Sequence, residues 1–313
     1  MAYMRTRILI ATLAAAALLT GCDVDIDDVS MGPREEESFH YSYDWKPGGR
    51  LMVDNYNGSI EVTAWEQNKI EIDGARFANS RERLQQVKVD VARTADSVSI
   101  RTIPPSERTG NSGARYQIRL PKQAALELIK STNGSIRVHG IDGAVTLRTT
   151  NGSVRVSAVK GEVSAASTNG GIELDKVTGA ATVRTTNGRV KIDGIEGPID
   201  ASTTNGAIFA TMAKSTDDRK MRFSTTNGSI ELRLPAGLKN DVRASTSNGS
   251  IEVKLPSAAN FQLAARTSGS SIQSDFDVKG EVTKKRVEGT VGTGGVLLDL
   301  STSNGGISLQ RSL

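Results

Sequence analysis

The dipeptide Asn-Gly returns at Asn133, Asn151, Asn169, Asn187 and Asn205, each time 18 residues further on. A constant period over four intervals marks a repeat architecture, in which each unit buries its apolar face only against its neighbours. Aligned on the asparagine, the third position on holds Ile136, Val154, Ile172, Val190 and Ile208, and the fifth holds Val138, Val156, Leu174, Ile192 and Ala210. Apolar residues two apart define the inward face of a strand. Ten residues after the asparagine stands Gly143, Gly161, Gly179 or Gly197, a second corner where side chains clash or φ must be positive. Beyond it, Val145, Val163, Ala181 and Ile199, then Leu147, Ala165, Val183 and Ala201, predict a second inward face. Ile141, Val159, Val177 and Ile195, eight residues after the asparagine, are expected to plug the core near that corner.

Asn-Gly is also the strongest hairpin signal, so a series of antiparallel hairpins competes with a parallel coil. The columns favour the coil. In a meander equivalent residues lie two strands apart and gain nothing from identity, whereas in a parallel coil they stack at about 4.8 Å. Here Thr132, Thr150, Thr168, Thr186 and Thr204 recur beside the asparagines, which suggests ladders of like side chains along one edge. The reading is an all-β parallel β-solenoid, or β-helix, with rungs of about 18 residues and an irregular N-terminal β cap.

The spacing then loosens, but Asn227, Asn248 and Asn304 are each followed by glycine and isoleucine, and Ser268-Gly269 with Ile272 looks like a degenerate member. Residues 274–294 do not fit and are expected to be a loop or corner insertion. Asn57-Gly58 with Ile60 and Val62 places the start of the coil near residue 50. Between them, residues 75–128 read as strands outside the repeat, with one helical turn over Arg81 to Val87. Nine or ten rungs predict a body about 45 Å long.

The N-terminus reads differently. Arg5 and Arg7 precede an apolar run from Ile8 to Leu19, too short to span a bilayer comfortably and typical of an export signal. The run ends in Leu19-Thr20-Gly21-Cys22, which resembles the lipobox of bacterial lipoproteins, so Cys22 is the expected site of lipidation. Cys22 is also the only cysteine, which leaves none for a disulfide. Residues 23–37 carry seven acids against Arg34 alone and read as a disordered tether. Subtracting Arg5, Arg7 and Arg34 from 39 basic residues leaves 36, and subtracting the tether's seven from 35 acids leaves 28, so residues 38–313 carry about +8. A basic body favours anionic envelope polymers, although solubility alone explains a charge of that size. The expected organisation is therefore a signal peptide over 1–22, a tether over 23–37, a cap with early rungs over 38–130 and repeats over 131–313.

The lipobox, the acidic segment, the Thr-Asn-Gly steps and the segments Ile230-Glu231-Leu232-Arg233-Leu234-Pro235 and Ile251-Glu252-Val253-Lys254-Leu255-Pro256 together resemble the putative-adhesin family of bacterial β-strand-repeat lipoproteins. That resemblance implies an envelope protein with an adhesive or envelope-stress role, and it carries over no catalytic residue. Asp23, just after the cysteine, resembles the inner-membrane retention signal of enteric lipoproteins, a rule that varies between lineages.

Catalytic chemistry finds little support. A polysaccharide-active β-helix enzyme needs paired carboxylates, or a calcium with a basic residue, on a groove, while the outward acids Glu173, Asp175, Asp193 and Asp200 read as scattered over different columns among Arg137, Arg155 and Lys191. His40 and His139 are the only histidines and suggest neither a metal cluster nor a nucleophile pair. No cofactor, metal or nucleic acid is expected. The aromatics gather at Phe39, Tyr41, Tyr43, Trp45, Tyr56 and Trp65, where a plug over the first rung explains them better than a sugar platform. The leading expectation is a non-enzymatic, membrane-anchored monomer that serves as an adhesin-like or scaffold protein, facing the periplasm or the exterior. Its partner would be an envelope polymer or protein; the alternatives are the glycan enzyme and an accessory of an envelope-stress response. The eight asparagines from Asn133 to Asn304 are assigned a structural role in the corner ladder. Substituting Ile172→Asp buries an unpaired charge in mid-stack, and circular dichroism should show the rungs unfolded under conditions where the parent is folded.

Overall fold

The computed structural model describes residues 34–106 and 110–312. One rung shows how the repeat folds. The alternation over Val163–Asn169 turns Val163, Ala165 and Ser167 inward and leaves Ser164, Ala166 and Thr168 on the other face. The chain turns a corner at Gly170-Gly171, and the strand Ile172–Thr178 then buries Ile172, Leu174 and Val177. At Gly179 it returns to the first sheet, one layer further along. Neighbouring rungs are parallel and in register: Val163 pairs with Ala181 and Asn169 with Asn187, while across the other sheet Ile172 pairs with Val190. Asn151 likewise pairs with Asn169. The product is a two-sheet β-solenoid, with 13 strands in one sheet (sheet A) and 14 in the other (sheet B), around one continuous apolar core.

The corner glycines explain why Asn-Gly is no hairpin signal here. A Cβ on Gly170 would lie 2.0 Å from the carbonyl oxygen of Gly152 in the rung before, and one on Gly188 would lie 2.2 Å from that of Gly170. From Gly134 to Gly305 none of the Asn-Gly corner glycines has a positive φ; only Gly58 in the first rung does, at 117°. Close approach of backbones stacked about 4.8 Å apart, and no left-handed turn, therefore requires glycine.

A second device was invisible in the repeat pattern. Gly140, Ala158, Lys176 and Gly194, again 18 residues apart, all adopt left-handed φ between 52° and 80°. For Ala158 and Lys176 this costs about 1 kcal/mol or more each. The bend lets Ile141, Val159, Val177 and Ile195 turn back into the core, where all four are fully buried.

The two ends are closed by related excursions. At the N-terminus β1 (Glu35–Asp44) precedes β2 (Gly49–Asn57) and β3 (Ile60–Trp65), which form the first rung. The chain then makes an excursion through β4 (Lys69–Ala78), α1 (Arg81–Gln86), β5 (Lys88–Arg93), β6 (Ser97–Ile103) and β7 (Ser112–Pro121) before β8 (Ala124–Asn133) and β9 (Ile136–His139) begin the regular series. The excursion stacks on the outer side of the first rung: β3 lies between β7 and β9, and β2 between β6 and β8, all parallel. Antiparallel β4 and β1 then end sheet A, and antiparallel β5 ends sheet B. At the other end the final strands Leu297–Thr302 and Ile307–Ser312 insert between Val242–Pro256 and the rung formed by Phe261–Thr267 and Ile272–Ser274. Antiparallel strands Arg286–Val291 and Val278–Val282 extend sheet B beyond them.

Several expectations are thereby corrected. The acidic segment expected to run free to residue 37 enters β1 at Glu35, where Glu37 pairs with Arg76 at 2.7 Å. The boundary expected at 130/131 falls inside β8, because that segment already stacks in register on β2. Residues 274–294 contain the closing hairpin where a loop was expected. Removing β1 and β4 from the 13 strands of sheet A leaves eleven rungs, more than the nine or ten expected, since the excursions stack too. Thirteen strands at that spacing span about 60 Å.

The expected aromatic plug lies on the N-terminal excursion. Phe39 and Tyr116 meet across Gly74 with ring centroids 5.7 Å apart, and a Cβ there would strike the Phe39 ring. Tyr116 on sheet A also shares a 2.6 Å hydrogen bond with the Thr102 hydroxyl on sheet B, and burial pushes its phenol far above the ordinary tyrosine range. The stacking constraint separates two adjacent glycines. Gly170→Ala should destabilise the fold by about 1–3 kcal/mol, while Gly171→Ala, whose nearest neighbour is the Arg189 carbonyl at 3.3 Å, should be close to neutral in urea titrations.

Candidate functional surfaces

The structure brings the eight asparagines into one file. Each Nδ2 donates to the Oδ1 of the asparagine one rung earlier: Asn151 to Asn133 and Asn304 to Asn248 at 2.7 Å, and Asn169, Asn187, Asn205, Asn227 and Asn248 to their predecessors at 2.8 Å. Both ends of each interior amide are used within the file. The 56-residue gap between Asn248 and Asn304 leaves the ladder unbroken, because the final rung inserts beside the rung of Asn248.

A parallel file was missed from the sequence. Two residues before each asparagine stands a buried hydroxyl: Ser131, Thr149, Ser167, Thr185, Thr203, Thr225, Thr246 and Thr302. Thr149 donates to the Gly134 carbonyl at 2.9 Å, Ser167 to Gly152 at 3.0 Å, Thr185 to Gly170 at 2.9 Å, and the later members follow suit. Corner backbone bonds run from each glycine N–H to the next asparagine carbonyl and skip the glycine carbonyl. The hydroxyl supplies the donor that carbonyl lacks, which a buried acceptor requires. The signal was present, because the period-2 alternation of inward positions runs straight from Val163 through Ala165 to Ser167. The threonines singled out instead, such as Thr150, Thr168 and Thr186, are exposed.

On the outer face of sheet A charges are interleaved. Glu173 sits between Arg155 at 3.6 Å and Lys191 at 2.7 Å, and the Lys191 hydrogen bond holds its carboxyl below the usual range. Asp175 and Asp193, expected in different columns, are direct cross-strand partners. Near the N-terminal end a hollow of about 570 Å³ is lined by Glu36, His40, Glu61, Asp73, Arg115 and Arg137 among others. Its groups are already engaged: His40 Nδ1 lies 2.7 Å from Asp73, and Arg119 bridges Asp73 and Glu71 at 3.0 and 2.7 Å. The His40 bond, foremost, lowers the Asp73 pKa. The other histidine, His139, shares a 2.8 Å bond with Ser157. Among the described residues no three His, Cys, Asp or Glu side chains are grouped to hold a metal ion.

Of the remaining aromatics Trp45 is buried, Tyr56 bonds Ser112 at 3.1 Å, and Trp65 lies under the Arg119 guanidinium at 5.1 Å. The Cys22 assignment lies outside the described residues.

A family model described as Toastrack DUF4097 matches residues 49–253. Among curated proteins none matches the chain. Three solved structures are similar to it. A "putative cell adhesion protein" from Clostridium sporogenes is 11% identical, covering 88% of this chain and 100% of its own, with a TM-score of 0.21. A "putative adhesin" from Bacteroides fragilis is 16% identical over 87% and 97%, with a TM-score of 0.40. A "putative lipid binding protein" from Parabacteroides distasonis is 12% identical over 90% and 98%, with a TM-score of 0.34.

The hydroxyl file predicts a contrast between neighbours. Thr185→Val leaves the Gly170 carbonyl without its donor and should cost about 1–3 kcal/mol. The exposed Thr186→Val should stay within about 0.5 kcal/mol of the parent when both are compared by thermal unfolding.

Proposed function

The chain belongs to the Toastrack DUF4097 family, and on that premise we propose that it is a non-enzymatic cell-envelope protein, tethered to a membrane through lipid on Cys22, that displays a rigid β-solenoid as an adhesin-like or scaffold surface. The observation that carries the reading is the use of polar groups along the stack. The recurrent corner hydroxyls and amides bond one another or corner carbonyls, and outward charges on sheet A are ion-paired.

The chemistry of those pairs argues against the glycan enzyme. Two carboxylate pairs share a cation, Glu71 and Asp73 on Arg119 and Glu231 and Glu252 on Lys254, and a third pair, Asp175 and Asp193, lies in the field of Lys191. A glycosidase needs one carboxyl with a raised pKa as general acid. Asp73, Glu173, Glu231 and Glu288 are all displaced downward, chiefly by hydrogen bonds from His40, Lys191, Lys254 and Arg286 respectively.

The tether reading makes a direct prediction. With Cys22→Ser the protein should leave the detergent-soluble membrane fraction for the aqueous one or accumulate with its leader uncleaved, and metabolic labelling with a fatty acid should be lost. Unchanged labelling, or release of sugars from envelope polysaccharide by the purified protein, would count against the proposal.

A further inference from the structure

The two sheets treat the same three rungs differently. On sheet A the outward column reads Arg155, Glu173, Lys191 on consecutive strands, and the central carboxylate bridges both cations. On sheet B the matching column reads Arg148, Ala166, Arg184, again in direct cross-strand register. The two guanidiniums flank a methyl group where the other sheet has a carboxylate.

The surroundings leave that gap cationic. The strands Val145–Asn151, Val163–Asn169 and Ala181–Asn187 contain no acidic residue. Arg148 forms no ion pair or hydrogen bond with any described residue, and it is exposed. The acids nearby lie at the margins, Asp54 at 3.4 Å from Lys130 and Asp200 at 3.4 Å from Arg184. Lys130, Arg148, Ser164, Ala166, Thr182 and Arg184 line a shallow hollow of about 440 Å³. The backbones carrying the arginines are two strand spacings apart, about 9.6 Å. A tetrahedral oxyanion fits between two guanidinium forks reaching inward over that span, with hydroxyls at the floor.

We propose that the gap between Arg148 and Arg184, over Ala166, binds phosphate groups carried on an anionic envelope polymer. The external phosphate takes the place that Glu173 fills on the opposite sheet. This deepens the reading of the body as a non-enzymatic binding surface and rests on it, but it does not depend on the lipid at Cys22.

The test uses the full-length chain in detergent, with poly(glycerol phosphate) teichoic acid as probe and inorganic phosphate as competitor. The parent should bind the polymer, and less so as salt is raised, because exposed charges are screened. Arg148→Ala should weaken binding about two- to fivefold, the range for exposed charge pairs. Ala166→Glu rebuilds the arrangement of sheet A, so it should weaken binding about tenfold while melting no lower than the parent. Asp200→Asn should strengthen binding by freeing Arg184. Parent-like affinity in a folded Ala166→Glu protein would overturn the site. Binding to phosphatidylglycerol vesicles but not to the polymer would overturn the choice of a polymer over a lipid headgroup. Release from the membrane by Cys22→Ser with polymer binding unchanged tests the tether alone, and sugar release from envelope polysaccharide would sink the non-enzymatic reading while the effect of Ala166→Glu still judges the site.

Discussion

The whole body depends on one contact, the passage of each corner glycine directly over the carbonyl of the glycine one rung before. At about 2 Å from where a Cβ would sit, that contact admits no side chain. It also sets the register in which everything else repeats. Because the rungs are locked there in parallel, the asparagine amides fall within 2.8 Å of one another and the inward hydroxyls fall on the orphaned carbonyls. The ladders do not create the stack. They satisfy polar groups that the stack has already taken away from water, and leaving such groups unpaired is costly.

A stack of this kind grows without limit unless its ends are altered. Both ends here use a related solution: the chain lays one rung in place, or leaves room for one, and departs on an excursion, and antiparallel strands seal both sheets at the N-terminal end and sheet B at the other. Aromatic pairs close the core beneath the seal, Phe39 with Tyr116 at one end and Phe261 with Phe276 at the other. The outermost strand Val278–Val282 is short and presents Lys279 and Glu281, features that discourage pairing with another chain.

Function is left to the outer faces. Parallel stacking makes each outward column a row of side chains at strand spacing, so a single substitution in one repeat changes the charge of a whole row. Glu173 neutralises its row on sheet A, and Ala166 leaves the matching row on sheet B open. The difference between a salt-bridged row and an open cationic one lies in one residue of a repeat.

Much of this was legible in the residues. The 18-residue period, the inward positions and the asparagine file follow from spacing alone, because in a parallel coil equal spacing means spatial adjacency. The hydroxyl file was legible too, although the Thr-Asn-Gly tripeptide points one residue late, to Thr150 and Thr168. Other features were not. The left-handed bend at Ala158 and Lys176 has no residue signature, since neither favours that conformation. The acids Asp175 and Asp193 each stand six residues after their asparagine, so their pairing, unlike these bends, is written in the spacing. Order along the stack was decided by tertiary structure alone: Asn304 neighbours Asn248 because the last rung inserts inside the one before it, and the first rung lies beneath an excursion that follows it in the chain. Local spacing reports which residues share a rung and a face; which rung packs on which is chosen by the burial of whole faces, a sum over the assembled stack that no single segment contains.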